Sequence, residues 1–294
     1  MIVRRRKPRP WANTVAATGW GESTYAELAW DKSRGAAARW GAFGVLIGAL
    51  LAVIVFAPAA WLAATIASAT NQHLLLADAR GTVWSGSAVA VLTGGPGSRD
   101  ASALPGRLEW TVGVKGFALE LRARHACCLN GTAAVAVRPG LGRVTIELAR
   151  GTDWIAQWPS AWLGGLGTPW NTLQMGGMVR LASPGLSIES VQGRWRLAGR
   201  ADLDLVDVSS RLSTLETLGS YRLSVGGDAA GGTSQLTLQT LQGTLQLSGN
   251  GSFGPGGVRF RGEARAGNGD EAALTNLLNI IGRRDGARSV ISIG

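Results

Sequence analysis

The feature that most constrains this chain is an uncharged stretch near its start. No Asp, Glu, Lys or Arg occurs from Trp40 to Ala77, and residues 41–60 are almost wholly apolar. Twenty helical residues rise about 30 Å, which is the thickness of the hydrocarbon core of a bilayer. Trp40 and Trp61 bracket this run as interfacial aromatic residues do. The pattern predicts one transmembrane helix, whose membrane-contacting residues we expect to be Trp40, Leu46, Leu50, Ile54, Phe56 and Trp61.

The charge around this stretch predicts its orientation. Residues 1–40 hold eight Lys or Arg against three acids, and Arg34 and Arg39 directly precede the apolar run. The positive-inside rule therefore places the N-terminus in the cytoplasm and the C-terminal domain in the periplasm, across a cell inner membrane. A cleaved signal peptide is the alternative, because residues 67–69 resemble a signal-peptidase site, but the leading region and the apolar run are both long for one. We expect a basic, disordered cytoplasmic tail over 1–39 and the transmembrane anchor with its extension over 40–67.

From residue 70 to residue 294 the pattern changes to a period of two. Runs such as 119–124 and 258–264 alternate apolar and charged residues, which is typical of strands with one buried face. Short glycine-rich turns separate these runs and favour antiparallel neighbours. The sequence predicts a mainly β fold, an antiparallel, meander-rich periplasmic domain with about ten to twelve strands and one or two short helices. A recurring glycine rhythm near residues 81, 193 and 243 indicates either two related halves split near 153–170 or the common pattern of glycine-rich meanders.

Three tryptophans interrupt the strand pattern. Trp154, Trp158 and Trp162 are spaced by four residues, which places three indoles on one face of a helix. Asp153 is a suitable N-cap, and Pro159 is expected to divide the segment into two short helical turns. Two roles stay open. The indoles either plug the open end of the β core or contact a partner or a membrane surface.

A second helix is predicted over 270–282. Four apolar residues share one face of it, namely Leu274, Leu277, Leu278 and Ile281. Gly282 is expected to cap its C-terminus, and Arg283 and Arg284 follow at the end where the helix dipole favours cations. A last strand is predicted over 289–293.

The sequence offers little for catalysis or metal binding. His73 and His125 are the only histidines, and Cys127 and Cys128 are the only cysteines. Their spacing matches neither a zinc site nor a nucleophile with its base, so we predict no enzyme activity, no catalytic residue, no metal and no cofactor. We interpret the two cysteines as small apolar residues at a strand or a turn, with a vicinal disulfide as the alternative. Half of the net charge of +10 lies in residues 1–40, so no nucleic-acid partner is expected.

Several short segments resemble protein N of the type II (general) secretion pathway. They follow a basic tail and a single anchor, and are Gly81–Ala88, Leu108–Trp110, Trp158–Leu163, Leu166–Pro169 and Leu274–Gly282. The resemblance implies an accessory, non-enzymatic inner-membrane component of the machine that moves folded proteins from the periplasm across the outer membrane. Its implied partners are the other inner-membrane subunits and the lipid bilayer, and it carries over no catalytic residue. The long Arg/Pro-rich tail departs from the family pattern.

A different function remains as the alternative. Anchored periplasmic lipid-handling proteins of the AsmA-like type resemble the chain in outline, because they combine one anchor with a curled β sheet and an apolar groove. A continuous apolar groove would favour that function, and a well-filled core with the three tryptophans in it would favour the secretion component.

Overall fold

The computed structural model describes residues 39–148, 150–151, 153–191, 194–227, 234–254, 257–267 and 269–294. The chain divides into two compact units, Met1–Phe56 and Ala57–Gly294. In the first unit the structure describes one helix, α1, over residues 39–55, and every described residue of this helix is exposed. Trp40 and Phe43 pack edge to face on it, with ring centroids 6.3 Å apart. Among the described residues, no helix combines the length and the apolar character that are needed to cross a membrane.

The predicted continuous helix over 41–60 is wrong in the structure. Helix α1 ends at residue 55, and a second helix, α2, runs over Ala59–Ala69. Pro58 lacks an N–H and adopts an extended conformation at the start of α2. The Ala57 carbonyl oxygen accepts a hydrogen bond from the Val83 N–H at 2.9 Å, and Pro58 forms an isolated antiparallel bridge with Thr82. The chain leaves the helical path because it pairs with a distant turn of the β domain.

The second unit contains sixteen strands within the described ranges, more than the ten to twelve expected. Their bounds are β1 Leu74–Gly81, β2 Ser85–Thr93, β3 Ala101–Ala103, β4 Leu108–Lys115, β5 Ala118–His125, β6 Thr132–Gly140, β7 Arg143–Leu148, β8 Trp154–Pro159, β9 Met175–Val191, β10 Arg194–Ser210, β11 Gly219–Gly227, β12 Ser234–Gly243, β13 Leu245–Gly254, β14 Gly257–Ala266, β15 Arg283–Asp285 and β16 Arg288–Ile293. The remaining elements are a 3-10 helix over Ser160–Leu166, α3 over Trp170–Leu173 and α4 over Glu271–Ile281.

The strands form one antiparallel meander, as the period-two pattern predicted. The order in the sheet is β1-β2-β4-β5-β6-β7-β9-β10-β11-β12-β13-β14-β16-β15, with β3 paired to β2 and β8 paired to β9. The long strand β9 pairs with β8 over its first part and with β7 over its second part. The sheet is therefore continuous across residues 153–170, where the sequence suggested a split between two halves.

Two hydrophobic cores lie on this sheet. The N-terminal core consists of Ala59, Leu76, Ala88, Ala90, Leu104, Trp110 and Cys128. The C-terminal core consists of Leu173, Val208, Leu218, Tyr221, Leu245, Ala264, Leu274, Leu277 and Leu278. Helix α2, which the sequence boundaries assigned to the anchor, packs Leu62, Ala63 and Ile66 against the N-terminal core. Helix α4 supplies the three most buried leucines of the C-terminal core, as its apolar face predicted.

The predicted helix around the three tryptophans is wrong. Residues 154–159 form strand β8, in which Trp154 pairs with Ala182 and Trp158 pairs with Val179. Only Trp162 lies in a helix, and that helix is of the 3-10 type. The Asp153 carboxylate accepts a hydrogen bond from the Trp154 N–H at 2.8 Å, but it does so at the start of a strand.

Gly282 is the C-cap residue of α4, as predicted. Its φ of −166° and ψ of −171° are extended, so this glycine does not form a left-handed helix cap. A Cβ at Gly282 would instead overlap the Val290 carbonyl oxygen of β16. Glycine is needed here because the chain that leaves α4 passes against the last strand. Arg283 and Arg284 begin β15 directly after it, and β16 contains the predicted last strand.

Candidate functional site

A group of three indoles brings together distant parts of the chain, and we name Trp110, Trp158 and Trp162 the tryptophan cluster. Trp110 is buried in the N-terminal core, and Trp158 and Trp162 pack against that core. The rings of Trp158 and Trp162 meet edge to face, with centroids 5.9 Å apart and planes at 78°. Aromatic pairs prefer this geometry because the positive ring edge meets the negative ring face. Trp154 is half-buried and lies outside both cores.

Hydrogen bonds fix two of the three rings. Trp110 Nε1 donates to the Val83 carbonyl oxygen at 3.1 Å, and Trp162 Nε1 donates to the Ser102 carbonyl oxygen at 2.9 Å. Trp158 Nε1 is buried and has no hydrogen-bond partner within the described ranges. The cluster therefore contains two satisfied indoles and one whose N–H is unpaired.

The turn between β1 and β2 connects this cluster to Ala57, the first residue of the β domain. Val83 accepts the bond from Trp110 through its carbonyl group and donates its N–H to Ala57. Gly86 packs against the Trp110 ring so closely that a Cβ there would lie 2.6 Å from a ring carbon. A residue before the first strand of the domain is thus linked to the N-terminal core through one turn.

The connection after β8 reaches from one core to the other. Ser160 is buried, and its hydroxyl lies 3.2 Å from the Met175 carbonyl oxygen and 3.0 Å from that of Gly177. Trp162 contacts the N-terminal core, whereas Leu173 belongs to the C-terminal core. Both carbonyl groups that Ser160 contacts are on β9, so the serine ties the connection to the strand that β7, β8 and β10 share. This segment positions the two cores on the sheet.

The two cysteines and one histidine form a second cluster at the turn after β5. Cys127 and Cys128 are joined by a disulfide, so the unlinked interpretation that the sequence favoured is wrong and the alternative is present. The possible ligand atoms of His125, Cys127 and Cys128 lie within 4.8 Å of one another, and His125 Nδ1 is 3.3 Å from Cys127 Sγ. Both sulfurs are used in the disulfide, so they offer no thiolate to a metal. Burial lowers the pKa of His125, which keeps the ring neutral.

Ion pairs hold the exposed face of the sheet. The Asp78 carboxylate accepts hydrogen bonds from Arg107 at 2.7 Å and from Arg80 at 3.2 Å, and these bonds lower the pKa of Asp78. Arg222 donates two bonds to Asp204, at 2.6 and 2.7 Å, across the β10–β11 pair. Hydrogen bonding to Asp204 raises the pKa of Arg222. Side chains held in these pairs are placed to bridge strands.

The concave surfaces of the sheet carry charged groups. A hollow of about 800 Å³ beside the 3-10 helix includes Asp100, Arg211 and Glu216 in its lining. Another of about 550 Å³ over β5–β10 includes Glu147 and Arg150. Ionised groups are costly beside acyl chains, so these two hollows do not support the lipid-handling alternative.

The predicted site residues fall into separate places. The structure brings Trp158 and Trp162 together and leaves Trp154 apart from them. The anchor residues Trp40, Leu46, Leu50, Ile54 and Phe56 are exposed in the first unit, and Trp61 is exposed on α2. Sequence reasoning missed Trp110 and the turn at 82–84. The signal was present, because both lie in the two segments Gly81–Ala88 and Leu108–Trp110 that carry the resemblance.

Comparison with known proteins agrees with that resemblance. Residues 72–291 match the family described as type II secretion system (T2SS), protein N. Comparison with curated proteins and with solved structures returned no match. The match runs from β1 into β16, so it includes the tryptophan cluster, the C-terminal core, α4 and all of the N-terminal core except Ala59. The chain belongs to the protein N family of the type II secretion system.

Proposed function

We propose that this chain is a non-enzymatic inner-membrane component of the type II secretion system whose periplasmic β domain works by contact with other subunits. Membership of the family gives it an accessory role in type II secretion. The single observation that carries the proposal is the extent of the match, because it covers all sixteen strands except the last two residues of β16.

The location at the membrane rests on the first unit and on the sequence. Helix α1 exposes large apolar side chains along its length, among them Leu46, Leu50 and Ile54. Such a surface is stable when lipid or protein covers it. The basic residues before Trp40 favour a cytoplasmic N-terminus, which leaves the β domain in the periplasm. A reporter enzyme that is active only in the periplasm, fused after Gly294, tests this: activity supports the topology and a silent, intact fusion contradicts it.

The mode of action rests on the architecture. A meander with short hairpins places most polar side chains on an open face, where the ion pairs described above bridge strands. His125 is buried beside a disulfide, which is a setting for stability rather than for proton transfer to a substrate. The partners that we propose are other inner-membrane subunits of the secretion machine.

The functional experiment measures where a secreted protein accumulates. Deletion of the gene should retain folded substrate in the periplasm, and the full chain should restore its release to the medium. The Trp158→Ala/Trp162→Ala variant should restore less, because the connection between the cores loses its packing, while Trp154→Ala serves as the matched control. Unchanged partition in the deletion strain would contradict the proposed role.

A further inference from the structure

In this antiparallel meander every second turn lies on the same side of the sheet, and we name the side that carries the β4–β5 and β6–β7 turns the hairpin edge. The antiparallel registers place Gly294 and four described strand ends, Val191, Arg194, Gly254 and Gly257, on the same side as these two turns. The opposite side carries the 3-10 helix and α4, which follow the other ends of β8 and β14. The two edges therefore have different surroundings.

The hairpin edge carries most of the exposed large apolar side chains of the domain. Among the described residues between Ala57 and Gly294, thirteen such residues are exposed, and nine of them lie within two residues of the β4–β5 turn, the β6–β7 turn or a described strand end at this edge. Phe117 and Leu141 are at the extreme, because they sit in the turns themselves at 99% and 105% exposure. These two turns are side by side, since β5 pairs with β6 from Leu119 and Val137 onward. Exposed apolar side chains that recur along one side of a domain indicate a surface that contacts a partner or a membrane.

The charge at this edge is positive. Lys115, Arg196 and Arg259 lie beside the exposed apolar residues, and none has an ion-pair partner in the part of the chain that the structure describes. Glu120 of β5 and Glu189 of β9 are each paired with an arginine. Separate apolar side chains beside unpaired cations match the headgroup region of an anionic bilayer. In that region the apolar groups enter the acyl boundary, and the cations bind lipid phosphates.

The chain also enters the domain at this edge. The β1–β2 turn lies on the same side as the β4–β5 turn, because Ser85 pairs with Thr111. Ala57 and Pro58 are bound to Val83 and Thr82 of that turn, and Trp61 is exposed shortly after them. Ala57, the first residue of the β domain, is therefore held at the side that carries the apolar turns.

We propose that the hairpin edge rests on the surface of the membrane, with Phe117 and Leu141 inserted at the headgroup level and Lys115 and Arg259 bound to anionic lipid. A protein partner fits this edge less well, since protein interfaces need a contiguous, closely packed apolar centre, whereas a bilayer accepts separate side chains. The inference rests on the membrane location proposed above.

Photo-crosslinking in the full chain tests this contact. In separate variants, p-benzoyl-phenylalanine replaces Phe117 or Leu141 at the hairpin edge. The matched control carries it at Leu241, near the opposite edge. A further variant carries it at Leu46 in α1 and checks the membrane location. Leu241 is 47% exposed, so it is open to any partner that reaches the other edge. Isolated membranes are illuminated, and adducts are separated into lipid and protein by the mass of the purified product.

We expect lipid adducts at Phe117 and Leu141 in several-fold higher yield than at Leu241. In reconstituted vesicles, the yield should rise when phosphatidylglycerol is added to phosphatidylcholine, and Lys115→Glu with Arg259→Glu should remove that rise. Lipid adducts at Leu46, with protein adducts or no excess over Leu241 at the edge, would overturn the inference and leave the membrane location standing. No lipid adduct at Leu46 would contradict the membrane location itself.

Discussion

The contrast between Trp158 and Trp162 gives a sharp prediction about stability. Replacing either indole by phenylalanine removes a comparable ring area from the same region, so the loss of apolar burial largely cancels between the two variants. The hydrogen-bond contributions of the two indoles to stability differ and therefore do not cancel. Trp162→Phe loses the 2.9 Å bond to the Ser102 carbonyl oxygen, which costs about 1 kcal/mol. Trp158→Phe removes a buried N–H without a partner in the described ranges, and such a group is itself destabilising by about 1–3 kcal/mol.

Together these terms predict that Trp162→Phe is less stable than Trp158→Phe by about 2 kcal/mol or more. For a domain of this size, that difference corresponds to a gap of about 4–8 °C in Tm. The assay is thermal unfolding of the purified full chain, followed by circular dichroism in the β region, with Trp154→Phe as the control outside both cores. Equal melting of the two variants, or the reverse order, would refute the hydrogen-bond assignment in the tryptophan cluster.

Three further outcomes follow from the packing and the charges. Leu278→Ala in α4 should lower the free energy of unfolding by about 2–5 kcal/mol, while exposed Ile280→Ala on the same helix should change it little; chemical denaturation checks both, and equal losses would contradict the orientation of α4. Because burial lowers the pKa of His125 below its unfolded value, stability is full above pH about 6.5 and is lost as the pH falls toward the folded pKa, and His125→Gln should flatten that part of a Tm–pH profile. An unchanged profile would refute this cause. Gly177→Ala should destabilise the domain by about 1–3 kcal/mol, because its Cβ would lie 2.6 Å from two backbone oxygens at φ +102°, whereas Gly113→Ala meets open space and should melt like the parent.

The sequence predicted the β domain well because local periodicity carries the information. Strands β12 and β13 alternate in burial over their first seven residues, and in β13 the side chains alternate there between apolar or glycine and polar. The apolar face of α4 was equally legible, since Leu274, Leu277 and Leu278 follow helical spacing and are all buried. In each case the buried face of an element could be read from its own residues.

The errors arose where distant pairing decides the local structure. A spacing of four places Trp154 and Trp158 on one face of a helix, but pairing with β9 selects a strand, and a register shift between Trp154 and Ala156 separates the two indoles. One continuous helix was expected over 41–60, whereas Ala57 and Pro58 pair with the turn at 82–83 and interrupt it. The need for glycine at 282 comes from the approach of Val290, which lies beyond the next turn.

The sequence identified only part of the tryptophan cluster, again because residues distant in the chain build it. The sequence marked Trp158 and Trp162 by their spacing, but the N-terminal core that they contact is built from β1, β2 and β4, which precede them by more than forty residues. The apolar turns at Phe117 and Leu141 were not noticed, since each is a single residue between two alternating strands. Only the register of the sheet places them beside each other.

Affinity isolation of the intact chain from membranes tests the central claim most directly. The full chain carries a tag after Gly294, membranes are solubilised under mild conditions, and the co-purifying proteins are identified by mass spectrometry against a strain that lacks the tag. A component that works by contact predicts strong enrichment of other inner-membrane subunits of the type II secretion machine, and a weaker enrichment with the Trp158→Ala/Trp162→Ala variant. Recovery of the folded chain without any secretion subunit would contradict the account.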